Sequence, residues 1–185
     1  MNQITIKTLE RMSPEQLLAF AKLNTPILCE LNANGSITLI QRDKSKDKSL
    51  INHFISALKR WQFESDAGFL PDENTGFVLR NGTIRHPIQT WVRAFKKENY
   101  IEHLLEIAPD FVFECVTEDD SMELIHQRAQ NYISNGVQLV WFLDETAQIV
   151  TVFSQNKEKQ VFNLKEKISG ESVLPKFEFI FKSKT

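Results

Sequence analysis

Two short, almost wholly apolar runs, Phe111 to Val116 and Val137 to Leu143, bracket a segment whose apolar residues recur at helical spacing. Runs of that length, rich in Val, Phe and Leu, predict buried strands. Between them, Met122, Ile125, Ala129, Tyr132 and Ile133 fall on one face of a helix from about Asp119 to Asn135, and Gly136 is placed to end it. A helix between two buried strands is a crossover unit, and a crossover makes the strands parallel. Glu114 interrupts the first run, where a charge is costly unless something pairs or binds it. The next helix carries Gln127 and Arg128. A carboxylate on a core strand, followed by a helix with these polar residues, marks a site or the remnant of one.

The rest of the chain is organised around that unit. Ile4 to Ile6 reads as a strand, and Ser13-Pro14-Glu15-Gln16 places Ser at the N-cap, Pro at the first helical position and Gln at the third. This helix runs to about Leu23. Ile27 to Leu31 and Ser36 to Gln41 flank the turn Asn32-Ala33-Asn34-Gly35 as a hairpin. Arg42 to Lys48 is a charged loop. Leu50, Ile51, Phe54, Leu58 and Trp61 define an amphipathic helix. Gly76 to Leu79 meets a second hairpin signal at Asn81-Gly82, and Ile84 to Val92 is extended, with Pro87 making it an edge or irregular strand. Phe95 to Glu106 reads as a polar helix ended by Pro109. Strands follow at Ile149 to Phe153 and Gln160 to Leu164, and Val173 to Phe181 alternates in part. The expectation is one α/β (α+β) domain over residues 1–185, with a mixed sheet flanked by helices.

Composition excludes several classes. The net charge of -2 leaves no global basic footprint for nucleic acid. The Lys44, Lys46, Lys48 run and Lys96-Lys97 are short and charge-mixed, and so are read as solvated rather than phosphate-binding. No stretch is long and apolar enough to span a bilayer, and no secretory pattern is visible, so a cytoplasmic location without a membrane partner is expected. Cys29 and Cys115 lie in apolar segments and read as buried free thiols. Trp61, Trp91 and Trp141 sit in apolar patterns and read as core.

Four segments together carry a family resemblance: Cys29-Glu30-Leu31 before its turn; Thr75 to Pro87; Ala108-Pro109-Asp110-Phe111-Val112-Phe113-Glu114; and Asn131 to Asp144. In this order, and with Ser169 to Phe177 closing the chain, they resemble the Uma-two family, a former domain of unknown function classed with bacterial restriction endonucleases of the PD-(D/E)xK nuclease superfamily. The resemblance implies a restriction endonuclease-like core and metal-assisted hydrolysis of DNA. Such hydrolysis needs carboxylates to hold Mg²⁺ or Mn²⁺, and the metal makes a hydroxide available and neutralises phosphate charge. It also implies DNA as partner and a homodimer.

Carried over residue by residue, the family's two glutamates match Glu30 and Glu114, as metal ligands. The metal-binding Asp of its Pro-Asp pair falls at Ile88, and its lysine falls at Arg128. Ile has no ligand atom. Arg keeps the charge but favours a fork-like pair with a carboxylate. The favoured reading is a degenerate site in which Glu114 and Arg128 form an ion pair, with cleavage weak or lost and with no cofactor as an open outcome. Two alternatives stay open: an active Mg²⁺- or Mn²⁺-dependent endonuclease with a migrated ligand, or a non-catalytic nucleic-acid-binding or protein-interaction module. Accessory candidates are His86, which suits a softer metal than Mg²⁺, Asp110 and Gln127. Their plainer roles are a polar residue on an irregular strand, strand-start hydrogen bonding and a solvated helix position.

Overall fold

Ser13 starts the first helix as its residue pattern requires: its hydroxyl accepts from the Gln16 amide at 3.2 Å, and the Gln16 side chain accepts from the Ser13 amide at 2.8 Å. The computed structural model describes residues 2–8, 10–41, 49–93, 100–101, 104–118 and 120–181. In chain order the elements are β1 (Asn2–Ile6), α1 (Pro14–Leu23), β2 (Leu28–Leu31), β3 (Ile37–Gln41), α2 (Ser49–Ser65), β4 (Gly68–Phe69), β5 (Gly76–Val78), β6 (Ile84–Arg85) and β7 (Gln89–Arg93). They continue with β8 (Tyr100–Ile101), β9 (Leu104–Leu105), β10 (Phe111–Cys115), α3 (Met122–Ser134), β11 (Leu139–Asp144), β12 (Ile149–Ser154), β13 (Gln160–Asn163), β14 (Ile168–Ser169) and β15 (Glu178–Phe179). The chain divides into two compact units: Met1–Lys46, Glu73–His86 and Glu98–Ala108 form the first, and Asp47–Asp72, Pro87–Lys97 and Pro109–Thr185 the second.

The first unit is a seven-stranded sheet in the order β1-β3-β2-β6-β5-β9-β8. Its hairpins turn where the Asn and Gly residues stand, with Gly35 at φ 83 and Gly82 at φ 74, a region that side chains disfavour. The Arg11 guanidinium links the two turns, donating to the Gly82 carbonyl at 2.9 Å and the Ala33 carbonyl at 3.5 Å. Leu17 of α1 packs with Cys29, Leu31, Ile37, Ile84 and Leu104.

The second unit holds a six-stranded sheet, β13-β12-β11-β10-β7-β4, and the β14–β15 pair. β10 and β11 run parallel with α3 as their crossover, and the other pairs in the six-stranded sheet are antiparallel. Successive residues of a strand point to opposite faces. Phe113 therefore faces α2, where its ring lies 4.3 Å from Phe54, and Glu114 faces α3. Phe177, Phe179 and Phe181 of the closing segment pack around the same Phe54 ring. Trp91 and Trp141 are buried in this cluster and Trp61 packs against it. Both cysteines are free thiols.

Two expectations change and a third narrows. Within the predicted helix Phe95–Glu106, Tyr100–Ile101 and Leu104–Leu105 are strands, because Leu104–Leu105 pairs in parallel with Gly76–Phe77 and buries both leucines. That partner lies far away in sequence, so local charge and spacing did not reveal it. Residues 94–99 and 102–103 of that segment, Lys96-Lys97 among them, lie outside the described residues, as does the predicted loop Arg42–Lys48. Of the edge or irregular strand expected at Pro87, the segment is the irregular one: Pro87 falls in the gap between β6 and β7, both of which have a neighbour on each side. Its missing N–H therefore removes no ladder bond. Met122 is 49% exposed at the first position of α3, and burial on that helix begins at Ile125. Among the described residues no helix is long and apolar enough to cross a membrane.

Gly68 lies against β7 so closely that an added Cβ would overlap the Val92 carbonyl oxygen and stand 2.8 Å from the Trp91 ring. Gly68→Ala is expected to destabilise the protein by about 1–3 kcal/mol, measured by the shift of the urea midpoint.

Candidate functional site around Glu114

Glu114 is 4% exposed, in the middle of β10. A carboxylate there requires partners, and α3 supplies two of them. The Tyr132 hydroxyl donates to Glu114 Oε1 at 2.6 Å, and Arg128 Nη2 stands 3.1 Å from the same oxygen. Ala129 and Tyr132 are buried on the inward face of α3, and Arg128 is half-buried beside them. The four-residue spacing of Arg128 and Tyr132 sets both groups above one point of the sheet. Ser121 caps the helix, accepting from the Leu124 amide at 3.2 Å. On the C-terminal side Asn135 and Gly136 (φ 106) end it and lead into β11. The crossover thus carries the strand carboxylate and the cation that faces it.

β7 pairs with β10 so that Phe111, Val112 and Phe113 meet Trp91, Thr90 and Gln89. Ile88 lies just before β7, beyond the paired residues. Ile88 is half-buried and packs against the aromatic cluster.

Asp110, fully buried four residues before Glu114, fastens the start of β10. Its carboxylate accepts from the Arg93 amide at 3.0 Å and from Gln138 Nε2 at 2.9 Å, with the Arg93 side chain 3.7 Å away. Its backbone carbonyl accepts from the amides of Gln138 and Leu139. Asp110 thus has the strand-start role. Gln127 is exposed and donates to Glu123 one turn back, at 3.2 Å.

Glu30 belongs to the first unit. It accepts from the His86 amide at 2.9 Å and lies 3.4 Å from Arg85 Nη1. Arg85 also donates to the Leu31 carbonyl at 3.3 Å and Asn32 Oδ1 at 3.0 Å. The carboxylate is spent on a β2–β6 junction. The His86 ring lies against Gly76, where a Cβ would stand 2.7 Å from Cε1. Burial pushes the Cys29 thiol up from its ordinary value, which makes it a poor nucleophile at neutral pH.

A hard divalent cation takes several oxygen ligands. In the second unit, Glu114 offers an oxygen already held by a guanidinium and a phenol, and the Ile88 side chain has no ligand atom. Among the described residues, no three His, Cys, Asp or Glu side chains gather to hold a metal. This donor set does not fit the cation.

Sequence reasoning singled out Glu114, Arg128 and Glu30 but missed two partners. Tyr132 was assigned to the apolar face of its helix. Its signal was the hydroxyl, which a buried tyrosine usually satisfies. Arg85 was noted only within its motif. Its signal was a cation in a segment read as extended, which demands an acid where it is buried.

A family model described as "Putative restriction endonuclease" matches residues 14–181. Among solved structures, one described as a putative nuclease belonging to DUF820 from Anabaena variabilis ATCC 29413 is similar, with TM-score 0.72 and 16% identity over 92% of this chain and 95% of that one. The likeness shows the fold, a restriction endonuclease-like core in a mixed α+β chain. No functionally curated protein matches.

Proposed function

The chain belongs to the Uma2 family, and on that premise we propose that it is a restriction endonuclease-like protein that engages DNA and whose phosphodiester hydrolysis is weak or lost. One observation carries this reading: Arg128 Nη2 lies 3.1 Å from Glu114 Oε1. Metal-assisted hydrolysis rests on a cation that lowers the pKa of a bound water and neutralises the phosphate. A guanidinium balances the carboxylate's charge, but it coordinates no water and generates no nucleophile. The phenol of Tyr132 donates to the same oxygen, so a cation taking that oxygen would have to displace two partners. Uncatalysed phosphate-ester hydrolysis is extremely slow, so loss of the cation removes nearly all of the rate.

The test is nicking of supercoiled plasmid with Mg²⁺ or Mn²⁺, comparing the natural protein with Glu114→Ala. Both are expected to leave the plasmid at background. Metal-dependent nicking by the natural protein that disappears in Glu114→Ala would sink the proposal.

A further inference from the structure

The outer face of α2 takes no part in the arrangement around Glu114. Asn52, Ser56, Lys59 and Phe63 recur along it at helical spacing, with Arg60 beside them, and all five are exposed. Phe63 is 85% exposed. The opposite face is anchored by Phe54 and Leu58, both fully buried, so the outer stripe is presented on a rigid element. Among the described residues neither Lys59 nor Arg60 has an ion-pair partner, and Glu64, one turn after Arg60, lies at the edge of the stripe.

We propose that this stripe of α2 binds single-stranded DNA, with Phe63 as a stacking platform for a base and Lys59 and Arg60 on the flanking phosphates. The composition of the face selects the occupant. A protein or membrane partner buries a contiguous apolar patch, and here Phe63 is the one apolar residue among the five. A base needs a single accessible ring, and its backbone needs cations about one helical turn away. Stacking on an aromatic side chain strengthens binding base by base and does not depend on sequence. Duplex DNA keeps its bases stacked on one another, so the ring favours the unpaired strand. The chain's net charge of -2 is no obstacle, because phosphate contacts act over short screened distances.

The experiment is fluorescence anisotropy with labelled oligo(dT), the duplex of the same length and oligo(U), at low and raised salt. Oligo(dT) is expected to bind best, with affinity falling as salt rises. Phe63→Ala is expected to weaken it about tenfold with little change in salt slope. Lys59→Glu with Arg60→Glu is expected to weaken it by about tenfold or more and to flatten the slope. All three positions are exposed, so thermal melts should match the natural protein and separate lost binding from lost folding. No binding at low salt, binding unchanged by both variants, or a preference for duplex or oligo(U) would each overturn the proposal. The inference rests on the reading that the chain engages DNA: no binding to any DNA at low salt counts against both, binding unchanged by both variants overturns this inference alone, and the nicking assay reads Glu114 separately.

Discussion

Arg128→Met is expected to destabilise the protein by about 3–5 kcal/mol, because it strands a buried carboxylate without its cation. Methionine matches much of the arginine stem, so the loss reports charge rather than volume. Glu114 keeps the Tyr132 hydroxyl at 2.6 Å, but a hydrogen bond to a charged group contributes only about 1.5–3 kcal/mol and does not neutralise it. The check is urea unfolding followed by tryptophan fluorescence. Trp61, Trp91 and Trp141 all lie in the second unit, as does the pair. The double variant Glu114→Gln with Arg128→Met removes both charges and keeps an oxygen for Tyr132. It is expected to recover to within about 1–2 kcal/mol of the natural protein. A single variant as stable as the natural protein would show that Arg128 is not the cation Glu114 depends on.

Phe54→Ala is expected to cost about 3–5 kcal/mol. The ring is fully buried and lies 4.3 Å from Phe113, 5.4 Å from Phe181 and 5.6 Å from Trp141. Two of these neighbours sit on sheet strands and one on the closing segment, so no single side chain is able to fill the space by shifting. The midpoint of the same urea titration measures the loss. The contrast with Phe63 on the same helix is sharp. Phe63→Ala is expected to leave the midpoint unchanged, because an exposed ring contributes little to folding. The inner face of α2 thus determines stability, while its outer face stays exposed.

Much of the fold was legible because its signals are local. Ser13-Pro14-Glu15-Gln16 starts a helix through bonds within one turn. Asn81-Gly82 turns the chain through Gly82's own backbone freedom. The two apolar runs around α3 announced parallel neighbours, since a helix-length connection leaves few other solutions. Leu104–Leu105 was not legible, because its strand character comes from pairing with Gly76–Phe77, and nothing local to residues 95–106 encodes that partner.

The site divides along the same line. From the residues alone, Glu114 needs a partner, Ile88 cannot ligate and Arg128 has the chemistry to pair, since these follow from side-chain identity and strand burial. The tertiary structure decided which atoms meet. It set Arg128 and Tyr132 on one oxygen of Glu114, assigned Asp110 to the start of β10, and fastened Glu30 to Arg85 and the His86 amide. Identity sets what a side chain is able to bind. Which of several candidates it binds depends on helix phase and strand register, and those are set by packing across the whole sheet.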